Sequence, residues 1–162
     1  RQIQGALGRG FGGVSLDPAR ILGQDGSEIE KAAVLALKVL ESKKSVILHT
    51  ALGPSDARVK ASAEAVKKAG PEKLGQALGK LLKSLADRGG IRRAAVVGGD
   101  TAGFVAGELG LKTLEVAGPI EPGSPLCRAG VSGSALDGLE ILFKEGQAGS
   151  DQIFEKTLSG RP

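Results

Sequence analysis

Short apolar segments of strand length alternate with amphipathic segments of helical length along this chain of 162 residues. Pro71 suits the first turn of a helix, and the leucines after it recur on one helical face until the pair Gly89-Gly90. Residues 94–97 are continuously apolar, which is typical of a buried strand. Strands separated by helices predict an α/β fold, namely a layered α/β/α domain with a largely parallel central sheet.

The same patterns give a coarse map of the chain. They predict strands at residues 12–16, 45–49, 94–97, 113–116 and 139–143. They predict helices at residues 2–7, after Ser27, after Pro71, and at residues 101–109 and 151–158. A loop rich in proline and glycine is expected between the strand at 113–116 and Pro125.

Composition excludes several classes of function. The chain has only four aromatic residues, and its net charge of +4 is not gathered into a dense basic cluster, so nucleic acid is not an expected partner. No apolar run approaches the roughly 18 residues of a membrane span, and no signal peptide opens the sequence. The single cysteine, Cys127, cannot form an internal disulfide. We therefore expect a cytoplasmic protein without a membrane partner.

The segment Gly98-Gly99-Asp100-Thr101 lies directly after a predicted strand and directly before a predicted helix. Glycines permit a sharp turn and the close approach of a ligand, while the first amides of the helix and its dipole favour a phosphate group. Thr101 could add a hydroxyl donor, and Asp100 could orient a water of Mg²⁺. The structural alternative is an ordinary turn in which Asp100 is only the N-cap of the helix.

Residues 144–149 have the same placement, after the last predicted strand and before the last predicted helix. Parallel strands would bring both loops to one edge of the sheet, where α/β proteins bind ligands. Lys144 could pair with a phosphate, and Gly146 could allow a nucleotide to approach. Alternatively, Lys144 is a solvated lysine at the end of a strand.

Other features indicate function only weakly. Gly8, Gly10 and Gly13 match the letters of a dinucleotide-binding fingerprint, but no strand precedes them and no regular helix follows, so a nicotinamide site is not expected. No Walker A sequence occurs. His49 is the only histidine and is expected to be structural, and Cys127, without a neighbouring partner, is expected to be inert.

Taken in order along the chain, these segments resemble the C-terminal nucleotide-binding domain of the four-carbon acid sugar kinases. The segments that carry the resemblance are residues 1–3, 94–103, 109–111, 121–125 and 144–149. The resemblance implies a kinase that transfers the γ-phosphate of ATP, with Mg²⁺, to the terminal hydroxyl of threonate, erythronate or their oxo forms.

The resemblance also implies a set of cofactor-binding residues and no catalytic residue in this chain. Those that would hold ATP are Gly98, Gly99, Asp100, Thr101, Ala102, Lys144, Gly146 and Gly149. In the family the acid substrate and the catalytic base belong to a separate N-terminal domain. Residues 1–162 are accordingly expected to be the C-terminal domain alone, inactive in isolation, and able to form homo-oligomers through surface left uncovered.

Two departures from the family pattern support an alternative. Glu145 stands where the family usually has serine, and Ala148 where it usually has phenylalanine. A carboxylate beside a polyphosphate is unfavourable unless it points away or meets a cation. The alternative function is therefore a non-catalytic module of the same lineage that binds a nucleotide or phosphometabolite and has a regulatory or effector-like role.

Overall fold

The computed structural model describes residues 1–23, 26–42, 44–53 and 55–162. Most of the predicted helices and strands are present, and the structure adds helices at Pro18–Ile21 and Ala57–Ala69 and a strand at Ser124–Gly130. The helices are α1 (Gln2–Gly8), α2 (Pro18–Ile21), α3 (Ser27–Glu41), α4 (Ala57–Ala69), α5 (Pro71–Gly89), α6 (Gly99–Leu109) and α7 (Ile153–Ser159). The strands are β1 (Gly12–Ser15), β2 (Val46–His49), β3 (Arg93–Val97), β4 (Thr113–Glu121), β5 (Ser124–Gly130) and β6 (Glu140–Lys144).

Within the described residues the strands form two sheets. The smaller sheet pairs β1 with β2 in parallel, and the larger has the order β3-β6-β5-β4. In the larger sheet β3 and β6 are parallel, whereas β5 is antiparallel to both β6 and β4. The predicted α/β class is confirmed.

The prediction of a loop between the strand at 113–116 and Pro125 is wrong. In its place β4 continues to Glu121 and turns back into β5, so the chain forms an antiparallel hairpin there. This hairpin makes the larger sheet mixed, with one parallel pairing and two antiparallel ones. Because β4 is the outermost strand of this sheet, it can contain Pro119, which lacks a backbone N–H group.

Helices cover both faces of the larger sheet. Successive residues of β6 point to opposite faces: Ile141 is buried in the apolar cluster beneath α5 and α6, and Leu142 is buried in the cluster beneath α7. On the first face α5 packs between α3 and α6, and its Leu81 and Leu85 are almost fully buried. The β3–β6 pair therefore lies between two helical layers, as expected for an α/β/α domain.

Two small residues of α5 allow α6 to pack closely. A Cβ atom added at Gly75 would lie 2.4 Å from the Cβ of Phe104, and one added at Gly79 would lie 2.7 Å from the Cβ of Glu108. Both glycines are buried and lie one helical turn apart. This close contact fixes the position of α6, whose first turn follows directly from β3. Among the described helices, none combines the length and the apolar character needed to cross a membrane.

Candidate functional site

The two glycine-rich loops lie side by side. Strands β3 and β6 are parallel neighbours with Val97 opposite Lys144, so the loops that follow them leave the sheet at the same edge. The N–H group of Gly98 donates a hydrogen bond to the carbonyl oxygen of Lys144 at 3.0 Å. The expected juxtaposition of the loops at one edge of the sheet is therefore present.

The first loop presents the amino end of α6 at this edge. Gly98 is the N-cap, with φ +125°, and its carbonyl accepts the first intrahelical hydrogen bond, from Ala102, at 2.7 Å. The N–H groups of Gly99, Asp100 and Thr101 precede that bond and have no acceptor within the helix. Asp100 is exposed in the first turn and is not the cap, so its interpretation as an N-cap is wrong.

The four glycines of these loops differ in what the fold requires of them. Gly98 has a positive φ, and Gly149, with φ +86°, faces Glu121 so closely that an added Cβ would lie 2.6 Å from the Glu121 carboxylate. By contrast, a Cβ added at Gly99 or Gly146 would meet no atom of the described chain within 4 Å. Neither of these two has a positive φ. Space above both residues suits the close approach of a ligand.

Lys144 is a buried residue at the end of β6, so it is not the solvated lysine considered above. Its ammonium nitrogen donates to the carbonyl oxygens of Glu145 at 2.8 Å and Gly146 at 2.6 Å, and to Oε1 of Gln2 at 3.2 Å. Burial lowers the pKa of the Lys144 ammonium, against the opposing effect of the Glu121 carboxylate. Three acceptors match the three donors of an ammonium group, so Lys144 here shapes the second loop.

Gln2 holds the other half of the second loop. Its side-chain nitrogen lies 3.0 Å from the carbonyl oxygens of Ala148 and Gly149 and 3.1 Å from that of Ser150. Beside it, Arg1 forms an ion pair with Asp151 at 2.8 Å. The start of the chain thus fixes the conformation of a loop almost 150 positions away.

Glu121 anchors the end of the same loop. Its carboxylate accepts hydrogen bonds from the hydroxyl and the N–H group of Ser150, and from Lys156 at 3.0 Å. The hydroxyl of Ser150, with its N–H group and Lys156, lowers the pKa of Glu121 from 4.5 to about 2. Gln2 and Glu121 lie in segments that carry the family resemblance, but no local pattern predicts their roles, because each meets the loop only in the folded chain.

The residues present suit a nucleotide triphosphate with Mg²⁺. Three amides that have no acceptor within their own helix, together with the space above Gly99 and Gly146, fit phosphate groups. No group of three or more possible metal ligands occurs among the described residues. Mg²⁺ in phosphate sites is held by one or two carboxylates together with the phosphates, and the exposed Asp100 offers one such carboxylate.

The features set aside in the sequence gain no catalytic or cofactor-binding geometry in the described part of the fold. Gly8 ends α1 and Gly13 lies in β1, so the glycine triplet joins a helix to a strand, the reverse of the order a dinucleotide site needs. His49 ends β2 with its Nδ1 buried, and burial lowers the pKa of its imidazole. Burial raises the pKa of the Cys127 thiol, which favours the unreactive protonated form.

Comparison with known proteins agrees with the geometry. The model of a family described as "Nucleotide-binding C-terminal domain" matches residues 1–154. A 3-oxo-isoapionate kinase of Paraburkholderia graminis is 38% identical over 99% of this chain and 36% of its own length. A D-threonate kinase of Salmonella typhimurium is 32% identical over 93% of this chain and 37% of its own length.

A solved structure shows the same fold. A crystal structure of a Haemophilus influenzae protein superposes with a TM-score of 0.70 at 18% identity, covering 98% of this chain and 36% of that one. This chain spans 36% and 37% of the length of the two kinases named above. The resemblance drawn from the sequence is confirmed: this chain belongs to the family of nucleotide-binding C-terminal domains.

Proposed function

We propose that this chain is the ATP-binding domain of a kinase that phosphorylates the terminal hydroxyl of a four-carbon sugar acid, of the threonate, erythronate or oxo-tetronate type. The family and the names of the two kinase relatives support this function. The alternative, a non-catalytic module of the same lineage, is not favoured, because these relatives are kinases.

One observation carries the assignment of the site. The loops that begin at Gly98 and Lys144 are joined by a backbone hydrogen bond at one edge of the sheet, and each contains a glycine that the fold does not require. Gly99 and Gly146 are the two glycines in question. A ligand that must approach the backbone closely explains both, and the exposed amino end of α6 selects an anionic one.

The chain's own residues would then position the phosphates. The amides of Gly99, Asp100 and Thr101 would bind phosphate oxygens, with Ala102 completing the first turn and the Thr101 hydroxyl as a further donor. Asp100 would hold Mg²⁺ or one of its waters. When bound, Mg-ATP supplies the phosphoryl group, and its transfer depends mainly on positioning and charge stabilisation.

Lys144, Gly146 and Gly149 would border the nucleotide from the second loop. While its ammonium group donates hydrogen bonds to the carbonyl oxygens of Glu145 and Gly146, Lys144 would contribute to nucleotide binding by fixing the conformation of that loop. Glu145 is exposed, as a carboxylate near a polyphosphate must be. We place the sugar acid and the catalytic base on a separate N-terminal domain of a longer protein, so residues 1–162 alone would be inactive.

Titration calorimetry with Mg-ATP on the full-length protein tests the function. We expect saturable binding, weakened at least about tenfold by Gly99→Val, because the added side chain would occupy the space above the amides of α6. Gly107→Val is the matched control, since Gly107 is exposed farther along the same helix with nothing within 4 Å of an added Cβ.

The control variant should bind Mg-ATP like the unmodified protein. Equal losses in both variants would point to damage to α6 rather than to a phosphate site at its start. A full-length protein that binds no Mg-ATP would refute the kinase function and favour the non-catalytic module.

A further inference from the structure

An apolar cleft of about 470 Å³ lies between the two sheets. Strands β2 and β3 line it along their lengths, and α5 forms its floor. On the opposite side lie Ile3 of α1 and Phe154 and Leu158 of α7. The leucines of the floor are Leu74, Leu78, Leu81, Leu82 and Leu85. The cleft therefore runs between the same two helical layers that enclose the β3–β6 pair.

Within the described residues, the edge of β2 that faces the cleft is paired with no other strand. The N–H of Gly12 bonds to the carbonyl of Ser45, and the N–H of Leu16 bonds to that of His49. Alternate residues of a strand direct their backbone groups to opposite sides. Because positions 45 and 49 face β1, Val46 and Leu48 direct their N–H and carbonyl groups away from β1, toward the cleft.

The same reasoning applies to β3. The carbonyl of Arg92 accepts from Glu140, and the N–H of Gly98 donates to Lys144, so the even-numbered positions face β6. The backbone groups of Arg93, Ala95 and Val97 then face the cleft. Two strand edges thus border one apolar space, and buried backbone groups of this kind are rarely left without partners.

The beginning of the chain lies at one end of this space. Gln2 and Ile3 line the cleft, as do Thr101 and Gly146. Gln2 also bonds to the second loop, at the edge where β3 and β6 end. A segment that passed through the cleft and continued into α1 would therefore run in the same direction as β3.

We propose that the cleft is the seat of a β-strand formed by the residues that directly precede Arg1 in a longer protein. This strand would run parallel to β3 and join the two sheets into one, in the order β1-β2-new strand-β3-β6-β5-β4. Its backbone would pair with Val46 and Leu48 on one side and with Arg93, Ala95 and Val97 on the other. The turn from this strand into Gln2 would lie beside the loops at Gly98 and Lys144.

Length and position favour this occupant over a second copy of the chain. The chain spans only 36% of its 3-oxo-isoapionate kinase relative, and its family is described as a C-terminal domain, so relatives have sequence to supply such a strand. The outer strands β1 and β4 of a second copy are already paired in their own sheets. A strand inserted between two helical layers must instead be unpaired on both sides before it enters.

Residue-resolved hydrogen exchange on the full-length protein tests the strand. The amides of Val46, Leu48, Arg93, Ala95 and Val97 should exchange at least about a hundredfold more slowly than in a variant whose dozen or so residues before Arg1 are replaced by a Gly/Ser segment of equal length. The amides of Gly12 and Leu16 serve as controls, because their partners are within this chain. None of these readouts involves a nucleotide, so they are independent of the proposed kinase function.

Three results would overturn the proposal. The first is rapid exchange at the five cleft amides in the unmodified full-length protein. The second is slow exchange that survives the Gly/Ser replacement, and the third is protection that rises with protein concentration, which would indicate a second copy. If the replaced variant does not fold, Ala95→Cys paired with single cysteines placed along the upstream segment tests the same contact. A disulfide is expected at one position, and its absence at every position contradicts the strand.

Discussion

The side chains of Gln2 and Lys144 meet across 142 positions of the chain, with Oε1 of Gln2 3.2 Å from Nζ of Lys144. The two hydrogens on the nitrogen of the same Gln2 amide are shared among three carbonyl oxygens farther along the loop. One side chain therefore accepts a bond from the beginning of the loop and donates to its end. The conformation of residues 144–150 depends on the residue that begins α1.

Replacing Gln2 with alanine should loosen this loop. The change removes the partners of three carbonyl oxygens and one acceptor of the buried ammonium of Lys144. At a net value near 1 kcal/mol per hydrogen bond, less for partly solvated ones, we expect a loss of about 1–3 kcal/mol in the free energy of unfolding. Chemical denaturation measures this loss, and amide exchange should accelerate at residues 147–150.

Gln4→Ala is the matched control, since Gln4 is exposed on the same helix. It should leave both the stability and the exchange rates nearly unchanged. Equal behaviour of the two variants would mean that the Gln2 contacts contribute nothing measurable to the loop.

Glu121 should make the stability of the fold depend on pH in the acid range. Its pKa is lowered from 4.5 to about 2 by the bonds from Ser150 and Lys156. A carboxyl group with a lowered pKa stabilises the folded state above its unfolded pKa and loses that contribution as the pH falls toward its folded pKa. The contribution of Glu121 should therefore be complete above about pH 4.5 and disappear between about pH 4.5 and pH 2.

Glu121→Gln tests this dependence by thermal unfolding at several pH values. The variant should be less stable at pH 7, and its deficit should shrink as the pH falls below about 4.5, because the protonated glutamate then resembles glutamine. Glu115→Gln, on the exposed part of the same strand, is the matched control and should leave the stability at pH 7 nearly unchanged. A deficit that is constant with pH would contradict the ionic role of Glu121.

The local pattern of the sequence is sufficient to predict the helices and strands that bury an apolar face. Helix α5 was predicted from its leucines and ends at Gly89, within the glycine pair proposed as its end. The sequence pattern does not predict helix α4, because Ser62 is the only residue that this helix buries and its sequence therefore has no apolar stripe. For the hairpin of β4 and β5 the sequence predicts only a strand at residues 113–116 and a loop from there to Pro125, because the prolines and glycines of this segment are typical of loops.

The residues of the candidate site also fall into those that the sequence predicts and those that it does not. The two loops could be found from the sequence, because each consists of a strand end, glycines and a helix start in succession. Their neighbours Gln2 and Glu121 could not be found in this way, because their contacts join residues at least 29 positions apart. Nor does spacing distinguish a glycine required by the fold, such as Gly149, from one with open space above it, such as Gly146.

Gly149→Ala and Gly146→Ala should separate these two requirements. Alanine at position 149 must adopt φ +86° and meet the Glu121 carboxylate at 2.6 Å, so we expect a loss of about 1–3 kcal/mol in the free energy of unfolding. Alanine at position 146 meets nothing within 4 Å, and stability should change by less than about 0.5 kcal/mol.

For Gly146→Ala, nucleotide binding should change although stability does not. Gly146→Ala should weaken the binding of Mg-ATP to the full-length protein while the melting temperature stays nearly constant. Calorimetric titration and thermal unfolding measure the two effects separately. Unaltered binding in Gly146→Ala would remove Gly146 from the proposed site.

Because α5 and α6 pack closely at one glycine and not at another, replacing glycine with alanine should change the free energy of unfolding in opposite directions at positions 79 and 107. Gly79→Ala should lower the free energy of unfolding by about 1–3 kcal/mol, because the added Cβ would lie 2.7 Å from the Cβ and Cγ of Glu108 and would force the helices apart. Gly107→Ala should raise it by about 0.5–1 kcal/mol, because this exposed position of α6 gains helix propensity and meets nothing within 4 Å. Since α6 carries Gly99 and Asp100 at its start, Gly79→Ala should also weaken Mg-ATP binding, whereas Gly107→Ala should not. Urea denaturation and calorimetry of both variants measure these effects, and stabilisation by Gly79→Ala would show that the two helices have room to spare.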